Sequence, residues 1–217
     1  QTQWLFGHRM PECIELIGRI EPKLKKVFLT EHRVFITASS GTGMWEAAMR
    51  NCVKKKVLSC VSGAFSSRWE EIARANGKEN TVLYVEWGQP ILPEQVVEAL
   101  AQDDFDAVAV VHNETSTGVL NPIKEIAEAI RQTPNGENIT IMVDSVSGLS
   151  GARMETDAWD IDVVLTSSQK AFALPAGLAF CAVSDKTMEK AKTIENRGYY
   201  FDFLTLEKYL VKDQTPA

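Results

Sequence analysis

The chain has 217 residues, enough to bury a sizeable core in one large domain or two small ones. Hydrophobic residues make up 45% and charged residues 24%, an ordinary globular balance. The net charge of −6 and the lack of a basic stripe argue against nucleic acid, and no stretch approaches the roughly 18 apolar residues of a membrane span.

In chain order, apolar periodicity predicts a helix from about Pro11 to Leu29, with Ile14, Ile17, Ile20, Leu24 and Val27 on one face. A strand at Val34–Thr37 precedes a helix at Met44–Val53. Lys54, Lys55 and Lys56 then form a short solvated turn before a strand at Val57–Val61. A helix at Ser66–Ala75 leads to a strand at Thr81–Val85, and Pro93 suits the first turn of the next helix. Ala107–His112 is a strand, Ile123–Arg131 a helix, and Ile139–Val143 a strand. Strands at Val163–Thr166 and Leu178–Val183 and a helix at Lys186–Ile194 complete the pattern.

Continuous apolar strands separated by helices predict a three-layer α/β/α sandwich with a mostly parallel sheet and right-handed crossovers. The link from Lys170 to Leu178 is too short for a helical crossover, so one antiparallel strand is expected there. Ligands of such sheets sit outside the carboxyl ends of the strands.

Cys13, Cys52, Cys60 and Cys181 lie far apart, as expected of reduced thiols rather than a disulfide framework. With His8, His32 and His112 equally scattered, no metal site is expected. Both ends read as cut. The expected address is the cytoplasm, with an organelle signal left open.

Five polar clusters fall at predicted strand ends. Ser39-Ser40-Gly41-Thr42-Gly43 joins a strand to a helix, and small residues there let backbone N–H groups approach an anion. No Gly-Lys-Ser/Thr follows, and Glu46 stands where a dinucleotide fingerprint needs its third glycine. A turn capped by serine is the plainer alternative. Phe65 follows another strand and could stack on a flat ring, or be core. His112 to Gly118 crowds hydrogen-bonding groups at a third strand end, a pattern shared with ordinary polar loops. Asp144 ends a fourth, as a turn cap or as the partner of a cationic ring nitrogen. Lys170 follows a fifth, and its flank Ala171-Phe172-Ala173-Leu174-Pro175 would desolvate the ammonium. An anion cradle, hydroxyl donors, an acid and a lysine on one sheet edge match the phosphate, phenolic oxygen, ring nitrogen and aldehyde of pyridoxal 5′-phosphate.

The segments Gly7-His8-Arg9, Ser40-Gly41-Thr42 with Glu46-Ala47-Ala48, Glu114 to Val119, Val143-Asp144-Ser145-Val146 and Ser167-Ser168-Gln169-Lys170 span nearly the whole chain. On these residues the chain resembles the class V, fold type I aminotransferases, in the alanine–glyoxylate and serine–pyruvate branch. The resemblance implies that Lys170 forms the Schiff base and carries the proton, while Asp144 holds the pyridine nitrogen. Val146 would pack against the ring, Phe65 would stack on its other face, and Thr115 would serve the phenolic oxygen. Ser40, Gly41, Thr42 and Gln169 would bind the phosphate. Gly7 and His8 would line the substrate entrance, in a homodimer whose active site lies at the subunit interface.

The implied reaction is a ping-pong transamination from alanine, serine or a similar amino acid to glyoxylate or pyruvate. Members are longer, so residues 1–217 are expected to be the cofactor-binding large domain, with the small domain that clamps the substrate carboxylate outside it. A lyase or desulfurase of the same class and a catalytically inactive dimeric scaffold are the alternatives. No cysteine occupies an evident catalytic loop.

Overall fold

Runs of Val, Ile, Leu and Ala without charges form the strands at the centre of the molecule. The computed structural model describes residues 5–216. Among these residues the strands are β1 (Arg33–Ala38), β2 (Lys56–Val61), β3 (Glu79–Tyr84), β4 (Ala107–Val111), β5 (Asn113–Glu114), β6 (Val119–Leu120), β7 (Thr140–Asp144), β8 (Val163–Ser167) and β9 (Leu178–Val183). The α-helices among them are α1 (Pro11–Phe28), α2 (Gly41–Cys52), α3 (Ser67–Ala75), α4 (Pro93–Leu100), α5 (Ile123–Arg131), α6 (Asp185–Ala191) and α7 (Phe203–Leu210).

The main sheet has the order β1-β9-β8-β7-β4-β2-β3. Its neighbours pair in parallel except at β9, which runs antiparallel to both β8 and β1. The short Lys170–Leu178 link thus does what its length requires: it reverses the chain. β4, β7 and β8 are buried at every position, which is why they read as unbroken apolar runs.

Alternate residues of each strand feed two cores. Val108, Val110, Ile141 and Val143 pack under α1, α4 and α5 on one face. Ala107, Ala109, Met142 and Leu165 pack under α2, α3, α6 and α7 on the other. This is the three-layer α/β/α sandwich expected.

Three details differ from expectation. On α1 the buried residues are Ile17, Leu24 and Phe28, whereas Val27 is exposed, because the buried stripe runs one residue further round the helix. The β5–β6 hairpin is too short to show a period of its own. Helix α7 was not expected; Asp202 caps it by accepting the Leu204 N–H, and Phe203 and Leu206 bury against β1 and α2.

Candidate active site

The carboxyl ends of β1, β2, β4, β7 and β8 open on one cavity of about 260 Å³. It is lined by Ser40, Gly41, Thr42, Trp45, Phe65, Arg68, Asn113, Thr115, Asp144, Val146, Ser147, Gln169 and Lys170. Every cofactor-binding residue expected from the sequence is therefore present. Gly7 and His8 are not among the lining residues; both are exposed in the segment before α1.

Ser40 is the N-cap of α2, yet its side chain makes no capping hydrogen bond, so among the described residues the hydroxyl is uncommitted. A serine that merely capped the turn would use it. The N–H groups of a helix's first turn lack intrahelical partners and carry the positive end of its dipole. Gly41 is needed there for a second reason. A Cβ on it would come within 2.6 Å of Val146 Cγ2, so only glycine lets the helix end approach the Asp144–Val146 segment.

Asp144 is 4% exposed, and its Oδ1 accepts the Val146 N–H at 2.7 Å. Among the described residues its second oxygen accepts no hydrogen bond. Burial pushes its pKa up to about 7, against the pull of the Val146 N–H and the nearby Trp45 indole. The Trp45 N–H completes no hydrogen bond of normal geometry, so its help to the carboxylate is weak; its ring stacks on Trp69 at 5.1 Å. A buried acid with one free oxygen suits a cationic N–H donor in the cavity.

Thr115 donates its hydroxyl to Ser147 Oγ at 2.8 Å, and the Asn113 amide donates to the same oxygen at 2.9 Å. Phe65 lines the cavity with the Arg68 guanidinium 4.7 Å from its ring centroid. His112, from the same strand-end cluster as Thr115, is instead buried against Gly148 and Ser145. Burial pushes its pKa down to about 4, so the ring is neutral and lies outside the cavity lining.

Lys170 corrects one expectation. It lines the cavity but is exposed, and Ala173, Leu174 and Pro175 beside it are exposed too, so the apolar flank does not desolvate the ammonium. The turn after β8 carries those residues outward; only Phe172 folds back, against Phe28 and Phe180.

Trp45, Arg68, Asn113 and Ser147 were given no role from sequence. Helical spacing was the available signal for two of them: Trp45 lies four residues after Gly41 on α2, and Arg68 three after Phe65.

A family model described as "Aminotransferase class-V" matches residues 8–216. The chain belongs to the class V aminotransferase family. An uncharacterised aminotransferase of Methanocaldococcus jannaschii is 42% identical over 98% of this chain and 55% of its own length. The serine–glyoxylate aminotransferase of Methylorubrum extorquens is 36% identical over 90% of this chain and 51% of its own. Among solved structures, alanine–glyoxylate aminotransferase from Nostoc sp. superposes with a TM-score of 0.89 at 28% identity, over 95% of this chain and 55% of that one. The chain thus spans about half the length of the relatives it matches.

The residues present fit pyridoxal phosphate: an uncommitted helix N-terminus for its phosphate, a buried acid for its ring nitrogen, and a lysine at the rim. Among the described residues no cysteine lines the cavity; Cys52, Cys60 and Cys181 are buried elsewhere and Cys13 is half-buried. No helix of the described residues is long and apolar enough to cross a membrane.

Proposed function

We propose that this chain is the cofactor-binding large domain of a pyridoxal-phosphate-dependent aminotransferase that moves the amino group of alanine, serine or a similar amino acid to glyoxylate or pyruvate. The observation that carries this is the convergence of Lys170, Asp144, Thr115, Phe65 and the α2 N-terminus on one cavity. The named activities of the serine–glyoxylate and alanine–glyoxylate relatives support the choice of substrates.

When bound, pyridoxal phosphate supplies an electron sink that weakens the bonds of the substrate carbon carrying the amino group. Asp144 would keep a proton on the ring nitrogen, because a cation beside a buried carboxyl favours its ionised form. The N–H groups of Gly41 and Thr42, with the hydroxyls of Ser40 and Thr42 and the Gln169 amide, would hold the phosphate. Phe65 and Val146 would confine the ring, and the Thr115 hydroxyl, which now donates to Ser147 Oγ, would turn to the phenolic oxygen. Lys170 Nζ would be the group that carries the proton from the substrate carbon to the cofactor; its exposed position leaves it free to swing. We further propose a homodimer in which Gly7 and His8 act at the entrance from the subunit surface.

The test is turnover by the full-length protein with alanine or serine as donor and glyoxylate or pyruvate as acceptor. Wild type forms the matching keto acid and amino acid, and Lys170→Ala does not. Turnover that survives in Lys170→Ala would refute the assignment.

A further inference from the structure

Glu114 is fully buried and takes no part in the chemistry proposed above. Its two oxygens nevertheless collect donors from two separate cavity loops. From the β2–α3 loop, the Phe65 N–H reaches Oε1 at 3.2 Å and the Ser66 N–H reaches Oε2 at 2.8 Å. The Ser66 hydroxyl lies 2.8 Å from Oε2. From its own turn, the Ser116 N–H and hydroxyl reach Oε1 at 3.2 and 2.6 Å. The same Ser116 hydroxyl accepts the Ala64 N–H at 3.0 Å, so three consecutive loop N–H groups are fixed to this pair. The contact is close as well as polar: a Cβ on Gly63 would meet the Glu114 Cγ and Cδ at 2.6 Å.

Burial alone would push the Glu114 pKa up. The donors of Ser116, Ser66 and Phe65 more than offset it and hold the group below the ordinary value. A carboxylate satisfied in this way is stiff, since moving either loop would strand a buried charge.

We propose that Glu114 is a positioning residue that ties the loop bearing Phe65 to the turn bearing Thr115, and so sets the ring-binding geometry of the cavity. Each oxygen faces N–H and O–H groups that donate to it. An amide at this position would turn its NH₂ toward N–H groups that now donate to an acceptor. The proposal rests on the cofactor assignment above.

A double-mutant cycle tests it, using the full-length apo protein and 4′-deoxypyridoxine 5′-phosphate. This analogue keeps the ring and phosphate but has no aldehyde for Lys170 to engage. Glu114→Gln is expected to weaken its binding about tenfold, the size of one charge-assisted hydrogen bond. In a Phe65→Ala background the same change is expected to have little further effect, because it acts through Phe65. Amide exchange at Ala64, Phe65 and Ser66 should quicken in Glu114→Gln while β7 and β8 stay protected. Fully additive losses, or wild-type affinity in Glu114→Gln, would overturn the proposal while leaving the cofactor assignment standing. Failure of wild type to bind the analogue would overturn both. Should Glu114→Gln not fold, Ser116→Ala, which removes the bridge from Ala64 to Glu114, takes its place in the cycle with the same two outcomes.

Discussion

Asp144 and Lys170 reach the same cavity from neighbouring parallel strands, and Asp144 is the register partner of Leu165, five residues before the lysine. The acid is held rigidly in the strand and buried, whereas the lysine rides on the turn beyond β8 and is exposed. This division suits their proposed tasks. A group that fixes a charge on a ring must not move, and a group that carries a proton must.

The buried acid makes the apo protein sensitive to pH. The folded pKa of Asp144, about 7, lies above its ordinary value of 3.8. The folded state therefore keeps a proton that the unfolded chain releases, and stability falls as pH rises between those values. Asp144→Asn should remove this fall and leave the apo protein more stable than wild type at high pH, by roughly 2–4 kcal/mol. Denaturant unfolding on either side of neutrality measures it; an unchanged pH profile in the variant would contradict the burial argument.

Gly41 is the tightest point of the phosphate cradle. Gly41→Ala should cost about 1–3 kcal/mol, the usual range for overpacking, because its Cβ meets Val146 Cγ2 at 2.6 Å. Adding Val146→Ala should recover most of the loss. Thermal unfolding of the two variants checks the pair, and no recovery would place the strain elsewhere.

Asp162 offers a contrast at the opposite end of the sheet. It is 2% exposed, pairs with Arg131 at 2.7 Å and accepts the Ile141 N–H at 2.8 Å. Asp162→Ala leaves the Arg131 guanidinium without its buried partner and should destabilise the fold by about 3–5 kcal/mol. Where the variant is folded, its affinity for the cofactor analogue should match wild type. A loss of affinity out of proportion to stability would tie the two ends of the sheet together.

The thiols should be nearly inert in the native state. Burial pushes the Cys60 pKa up to about 12 and raises those of Cys52 and Cys181, while Cys13 is partly exposed. Alkylation followed by peptide mass spectrometry should label Cys13 first. Early labelling of any other cysteine would show that its strand or helix opens readily.

Most of the cavity was legible because its residues sit at strand ends, and strand ends are where an apolar run visibly stops. Ser40, Thr115, Asp144 and Lys170 all stand at such ends. What depended on side-chain direction was harder. The placing of Trp45 and Arg68 follows from helix phase, and the removal of His112 from the cavity follows from its packing against Gly148. The exposure of Lys170 could not be read from its apolar neighbours, since the turn after β8 carries them outward. The tie from Glu114 to Phe65 joins positions 49 residues apart, beyond the reach of any local pattern.

Lys170 is the residue to which we propose that pyridoxal phosphate attaches. Borohydride reduction of the cofactor-loaded full-length protein, followed by peptide mass spectrometry, tests it most directly. A pyridoxyl group is expected on the peptide containing Lys170 and not in Lys170→Ala. Labelling of a different lysine, or of none, would contradict it.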